Sequence, residues 1–364
     1  MKIGTGKRIV CRFPVFFLRT GKESAILYFM SRKKAVVRKT KVKKKTDYYD
    51  YSLLAVIILL TCFGLIMLYS TSSYMAELNY GDDMYYFKKQ AAISLVCIIA
   101  ALTISQIDYH ILTRATGVLY ASAAILMILV KSPLGRSANG ARRWLNLGPL
   151  SFQPSEIAKI AVIVSLSYMI VNMGRKINTL KGFMMLAGSG GGLAFFAYVF
   201  TDNLSTAIII FGITMGLIFI AHPKVRPFLI AAGVMLVIGI IVISYLSATM
   251  ETSTSFRLRR ILVWLHPEDY ASGDGYQTIQ ALYAIGSGGF LGRGLGNSIQ
   301  KLGSVPEAQN DMIFSIVCEE LGILGGLIIL LLFAYLLYRL FFIAQNAPDM
   351  FGSLMVSGIF IHIA

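Results

Sequence analysis

Apolar residues fall into long runs along this chain, and polar residues collect between the runs rather than alternating within them. A helix needs about 20 mostly apolar residues to cross a bilayer core. The runs predict spanning helices near 52–70, 90–106, 111–130, 155–172, 183–200, 204–222, 227–246 and 315–343. A ninth run starts near 350 and stops with Ala364, so the chain is expected to be a fragment cut within a helix. The pattern is that of an all-α, polytopic membrane protein. Residues 247–311 form the longest stretch without a clear span. Connections of that length are usually functional. Within it, Tyr276-Gln277-Thr278-Ile279-Gln280 and residues 281–285 read as a short, amphipathic, re-entrant helix. Such backbone survives at membrane depth only against protein or a wet cavity, which predicts a cavity on that side.

Composition removes the soluble alternative. Length alone would suggest two or three soluble domains, but apolar residues make up 56% of the chain and charged residues only 14%. A soluble domain typically carries about 25% charge. The net charge of +16 would suggest nucleic acid if it were spread over a groove. Instead, residues 1–45 hold fifteen Lys/Arg and a single acid, Glu23. The basic character therefore belongs to a tail, and no nucleic-acid partner is expected. We read residues 1–47 as a basic, disordered, cytoplasmic tail and 48–364 as the membrane domain. Residues 1–29 show no signal-peptide pattern, and Met30-Ser31-Arg32-Lys33-Lys34 would make a natural start, so the first 29 residues read as a misassigned start. The four cysteines form no CxxC pair and the four histidines are scattered, which points away from a dedicated metal site.

Charge in the short loops sets orientation. Lys and Arg concentrate on the cytoplasmic side. Arg32 to Lys45, Arg175, Lys176, Lys181, Lys224 and Arg226 are mutually consistent with a cytoplasmic N-terminus. Two segments oppose the bias. Loop 131–153 carries Lys131, Arg136, Arg142 and Arg143, and 247–311 carries Arg257, Arg259, Arg260, Arg293 and Lys301, yet parity puts both outside. Either long loops cross regardless of charge, or an anionic ligand such as a phosphate waits there, which guanidinium groups suit.

Ionisable residues inside spans are functional candidates. Glu156 and Lys159 stand three apart at the outer end of the fourth span, where they can pair. Asp202 opens the sixth span at similar depth. These three either tie helices together or shape the cavity. Glu319 and Glu320 lie about two turns into the eighth span and point to different faces, so one is expected toward the cavity and the other toward a polar partner. Asp311 stands at the mouth of that span, where it is either a helix cap or a base. The glycines between Gly286 and Gly296 lack a surrounding βαβ unit, so close backbone packing explains them better than a nucleotide.

Several of these motifs, in order, resemble the SEDS family (shape, elongation, division and sporulation), which includes FtsW, RodA and SpoVE. The resemblance rests on Asn139-Gly140-Ala141-Arg142-Arg143-Trp144, Gln153-Pro154-Ser155-Glu156-Ile157-Ala158-Lys159 and Asp202-Asn203-Leu204-Ser205-Thr206-Ala207. It continues through Gly275-Tyr276-Gln277, Gly294-Leu295-Gly296-Asn297-Ser298-Ile299-Gln300-Lys301, Pro306-Glu307, Asp311 and Glu319-Glu320-Leu321-Gly322. It implies a ten-helix bundle, about nine of them present here, with a large extracytoplasmic loop between helices 7 and 8. It also implies a peptidoglycan glycosyltransferase that polymerises lipid II into β-1,4 glycan, for division or sporulation, on the outer face of the bacterial cytoplasmic membrane. The alternative is a lipid II flippase without chemistry.

The same resemblance makes Asp311 the essential carboxylate of the family's Pro-Glu-x-His-Thr-Asp motif, with Gln309 and Asn310 in place of His and Thr. It implies substrate contacts from Arg142, Arg143, Trp144, Glu156, Lys159, Asp202, Gln277, Gln300, Lys301 and Glu307. Implied partners are lipid II, undecaprenyl-pyrophosphate-linked glycan, membrane lipid and a class B penicillin-binding protein. No cofactor is required by the motifs, although a divalent cation, Mg or Mn, could share the diphosphate charge.

Overall fold

A computed structural model describes residues 49–138, 141–147, 150–249, 256–273, 275–303 and 305–364. The basic tail expected over 1–47 lies outside the described residues. The chain divides into two compact units. One holds Asp108–Phe228 with Leu337–Ala364, and the other holds Asp50–Ile107 with Leu229–Leu336.

Helices dominate, as the apolar runs predict. They are α1 (Tyr51–Tyr80), α2 (Tyr85–Ile104), α3 (Ile111–Leu129), α4 (Pro154–Met173), α5 (Leu180–Thr201), α6 (Leu204–Ala221), α7 (Arg226–Thr249), α8 (Phe256–Leu265), α9 (Tyr276–Gly288), α10 (Ile313–Asn346) and α11 (Met350–Ile363). Among the described residues, seven helices are long and apolar enough to cross a membrane, and two shorter apolar stretches lie at Arg226–Ile241 and Met350–Ile363. The protein is a multi-pass membrane protein. α1 outruns the predicted span: its 30 residues extend about 45 Å, well beyond the hydrocarbon core. Asp50 caps its start by accepting from the Leu53 amide, and Gly81, at φ 67°, ends it.

In the first unit the packing face of α4 carries Ala158, Val162, Leu166 and Ile170, buried against Leu186 and Leu193 of α5 and Ile210, Ile213 and Leu217 of α6. The fourfold spacing places the α4 residues on one stripe. Small residues let these helices approach closely, as helices in lipid require. A Cβ on Gly190 of α5 would sit 2.0 Å from the Thr214 hydroxyl of α6. Between α3 and α4, where sequence reading places only a loop, an antiparallel sheet forms from β1 (Gly135–Ala138), β2 (Ala141–Leu147) and β3 (Leu150–Phe152). Its register pairs Arg136 with Trp144 and Ser137 with Arg142, so Arg143 is the extra residue of a bulge. A bulge bends its strand and re-aims the side chain it carries.

The second unit contains the short helix expected from sequence, α9, and explains the glycine run after it. α10 is broken at Gly322, where φ is 70° and ψ is −174°. A break inside a span orphans backbone groups that lipid cannot satisfy. Residues 289–294 satisfy them. The amides of Arg293 and Gly294 donate to the Glu319 and Glu320 carbonyls at 3.0 and 2.9 Å. The amides of Ile323 and Leu324 donate back to the Gly289 and Phe290 carbonyls at 3.0 and 3.4 Å. The approach leaves no room for side chains. A Cβ on Gly292, at φ 80°, would lie 2.2 Å from the Glu320 carbonyl oxygen. The glycines are there for backbone contact.

Candidate active site

In the first unit, two ends of the helix bundle carry polar groups. At one end, α5 closes on Asp202, which takes the left-handed conformation at φ 49°, and Asn203 caps α6 by accepting from the Thr206 amide at 3.1 Å. Asp and Asn are the residues that tolerate such a turn. The Asp202 carboxylate accepts from Lys131 at 2.8 Å, and its carbonyl lies 3.5 Å from Nη2 of Arg143. Nε of Arg143 is buried with no acceptor. Arg142 is exposed and makes no ion pair among the described residues, and Trp144 is partly exposed beside it on β2. Glu156 sits in the first turn of α4 and pairs with Lys159 at 2.8 Å. Lys159 is buried whereas Glu156 is open, so the pair turns a charged rim outward from a charge held within the bundle. Lys131, Arg143 and Asp202 thus meet, as do Glu156 and Lys159. Arg257 and Arg259, weaker sequence candidates, have side chains outside the described residues.

At the opposite end of the same unit, Tyr109 donates to Asp349, the cap of α11, and His110 reaches Asp108 at 2.6 Å and Asp349 at 3.1 Å. The hydrogen bond to Asp108 holds the His110 imidazole above its ordinary pKa, with both carboxylates adding to the rise. The loops that meet at each end alternate along the chain, as spanning helices require.

The second unit holds a buried polar lock. Glu319 and Glu320 are both fully buried, and neither faces a cavity, which corrects the expectation that one would. Their neighbours explain how two adjacent carboxylates survive there. Ser70 of α1 donates to Glu320 at 2.7 Å, Ser298 donates to Glu319, and the Ile299 amide donates to Glu319 at 3.1 Å. Lys301 gives its protons to Glu320 at 2.8 Å, Ser70 at 3.0 Å and the Gly296 carbonyl at 2.7 Å. An ammonium has three protons, so Lys301 has none left for a ligand. Lys301, expected to contact substrate, is thus engaged within the protein by Glu320, Ser70 and Gly296. Gln300, its neighbour in a 3-10 turn at Gln300–Leu302, keeps a buried side-chain oxygen without a donor.

The loop that leaves this lock forms a wall. Gln277 of α9 donates to the Pro306 carbonyl at 3.3 Å. Glu307 adopts φ 52°, rare for a residue with a side chain, and its carboxylate accepts from Asn310 at 2.6 Å. Strain of this kind costs about 1–3 kcal/mol and gathers at ligand sites. Glu307, Gln309 and Asn310 line an open, polar pocket of 410 Å³ with Tyr86, Lys89 and Gln90 of α2. Asp311 follows directly, exposed, before the first turn of α10, and among the described residues nothing donates to its carboxylate. No helix-cap bond occupies it, so it stays available as a proton acceptor. Sequence reading missed the pairing of Lys131 with Asp202, Ser70 and the α2 residues of the pocket. Among the described residues no three His, Cys, Asp or Glu side chains stand close enough to hold a metal.

Comparison with known proteins places this arrangement among relatives. A family model described as cell cycle protein, spanning FtsW, RodA and SpoVE, matches residues 50–364. Stage V sporulation protein E of Bacillus subtilis is 36% identical over 323 residues, covering 88% of this chain and 86% of that protein. A probable peptidoglycan glycosyltransferase FtsW of Trichlorobacter lovleyi is 34% identical over 325 residues, covering 87% and 81%. Among solved structures, a chain of a peptidoglycan synthase complex that coordinates polymerization and crosslinking superposes with a TM-score of 0.68 at 22% identity, covering 87% and 84%. The rod shape determining protein RodA of Thermus thermophilus gives 0.59 at 22% identity, covering 86% of this chain and 81% of that one. These structures share the fold.

Proposed function

The chain belongs to the FtsW, RodA and SpoVE family of cell cycle proteins, and from that premise we propose that it polymerises lipid II into peptidoglycan glycan strands. The names of its relatives support a glycosyltransferase over a flippase. The observation that carries the chemistry is Asp311: an exposed carboxylate with no donor among the described residues, one position beyond the wall of a polar pocket.

The reaction joins the 4-hydroxyl of an acceptor sugar to the anomeric carbon of a donor chain. Asp311 takes the hydroxyl proton as general base while the new carbon–oxygen bond forms. The bond from the anomeric carbon to the diphosphate breaks, and its electron pair leaves on the phosphate oxygen. Attack on the face opposite an α-linked leaving group gives a β-1,4 bond with inversion. Charge grows on the departing diphosphate. The resemblance implies substrate contacts from Arg142 and Arg143, and guanidinium groups hold a diphosphate through charge-assisted hydrogen bonds. We assign no step to a divalent cation.

Orientation in this proposal follows the loop charges, with the N-terminus in the cytoplasm and the pocket facing outward across the bacterial cytoplasmic membrane. A class B penicillin-binding protein fits as the partner that crosslinks the product. The likeness to a chain of a synthase complex supports that assembly. The test is purified protein with its partner and lipid II, assayed for glycan strands beside a fluorescent lipid II flipping assay in liposomes. Strands are expected. Flipping without strands would return the flippase reading.

A further inference from the structure

The pocket beside Asp311 carries chemistry that the proton transfer does not use. Gln90, Gln309 and Asn310 present amides that donate and accept at once, which suits hydroxyl and acetamido groups. Tyr86 is pinned by edge-on packing against Tyr80 and Tyr85, with ring centroids 5.8 and 5.4 Å away, and offers a flat apolar surface. The two lysines at the start of α2 differ. Lys88 is neutralised by Asp82 at 2.9 Å, whereas Lys89 lines the pocket and makes no ion pair among the described residues. Glu307 shares the pocket, but its carboxylate is engaged by Asn310. The pocket is thus lined by one cation, Lys89, and one carboxylate, Glu307, whose charge a neutral amide donor does not cancel. The volume of 410 Å³ falls in the range of small-ligand sites, about 300–1,000 Å³.

Resting on the polymerase reading, we propose that this pocket is the acceptor subsite and that it takes an N-acetylated sugar bearing an oxyanion, with Lys89 binding the oxyanion and Gln309 and Asn310 binding the sugar. The acceptor is the partner whose hydroxyl a base must reach, and Asp311 lies next to the pocket wall, about 3.8 Å along the chain from Asn310. Gln309 and Asn310 replace the His and Thr expected from the resemblance, so the subsite is tuned by two amides where an imidazole and a hydroxyl would stand. The oxyanion can be a phosphate of the lipid carrier or a carboxylate of the peptide attached to the sugar.

The experiment measures binding of a short-chain fluorescent lipid II to the full chain carrying Asp311→Asn, which on the polymerase reading stops turnover. Adding Lys89→Gln should weaken binding about tenfold, the scale of one charge-assisted contact, and Lys89→Arg should restore most of it. A second probe has its peptide carboxylates amidated. If Lys89→Gln weakens that probe equally, the oxyanion is the diphosphate. If it does not, the oxyanion is the carboxylate, and either result supports the subsite. A third probe, the lipid diphosphate without sugars, should bind Gln309→Ala as tightly as the parent, while lipid II binds it more weakly. Equal affinities for Lys89 and Lys89→Gln with both lipid II probes overturn the proposal. Equal losses of lipid II and the sugar-free probe on Gln309→Ala overturn its sugar half. Glycan synthesis by the unaltered chain separates this failure from that of the polymerase reading, because synthesis beside equal affinities sinks the subsite alone.

Discussion

Nζ of Lys301 lies 2.8 Å from Oε1 of Glu320, and both side chains are buried. Removing one member of such a pair leaves a charge stranded, at a cost of about 3–5 kcal/mol, whereas apolar replacement of both is often neutral. Lys301→Met should therefore unfold at markedly lower temperature in detergent, and Lys301→Met with Glu320→Leu should recover much of the loss. A single variant as stable as the parent would show that the lock does not hold the loop.

The stitched break in α10 makes a sharper prediction about glycine. Gly292→Ala and Gly322→Ala drive a Cβ to within 2.2 and 2.3 Å of carbonyl oxygens at positive φ, so both should lower the yield of monodisperse protein. Gly286 lies in the last turn of α9 with nothing within 4 Å of its would-be Cβ. Gly286→Ala should be neutral, or stabilising by about 0.5–1 kcal/mol from helix propensity. Size-exclusion profiles and thermal unfolding of the three variants read the difference.

Asp202 separates stability from activity. Its pair with Lys131 is roughly half exposed on both sides, at 48% and 43%, and such pairs contribute about 1 kcal/mol or less. Asn also tolerates the left-handed turn. Asp202→Asn should melt within a few degrees of the parent, about the shift 1 kcal/mol gives, while glycan synthesis falls about tenfold, the rate equivalent of 1.4 kcal/mol. Parallel loss of melting temperature and synthesis would make Asp202 a brace.

The end of the first unit that holds His110 should be pH-sensitive. The Asp108 hydrogen bond raises the His110 pKa in the fold, and Asp349 adds to it. A raised histidine pKa stabilises the fold fully below the unfolded value of about 6.5, and the benefit fades as pH rises through the folded pKa. The melting-temperature gap between the parent and His110→Asn should be widest at acidic pH and close on the alkaline side. A gap independent of pH would remove His110 from the account.

What could be read from the chain alone follows from where the determinants lie. Each span declares itself locally, because a run of apolar residues suffices. α9 was legible from its semi-polar pattern, and the glycine run was legible as a site of close packing. The β1–β3 sheet was not, since strands of 4 and 3 residues are short and the bulge at Arg143 breaks the alternation of the seven-residue β2. The break at Gly322 was hidden because its partners, residues 289–294, stand about 30 positions earlier in the chain. Ser70 meets Glu320 across 250 residues and Lys131 meets Asp202 across 71, and no local pattern announces either. The burial of Lys301 was hidden because a lysine in a polar loop carries no local mark of it. Lys89 and Gln90 carry no local mark, because their meaning depends on the wall at 307–310 opposite them.

Replacing Asp311 tests the assignment of the base most directly. Asp311→Asn preserves size and shape at an exposed position while removing the carboxylate's charge and its capacity to accept a proton. Lipid II polymerisation by the purified variant with its transpeptidase partner should fall to background while its melting temperature matches the parent. Glycan strands made at near the parent's rate would mean that another group takes the proton, and the mechanism built on this carboxylate would be wrong.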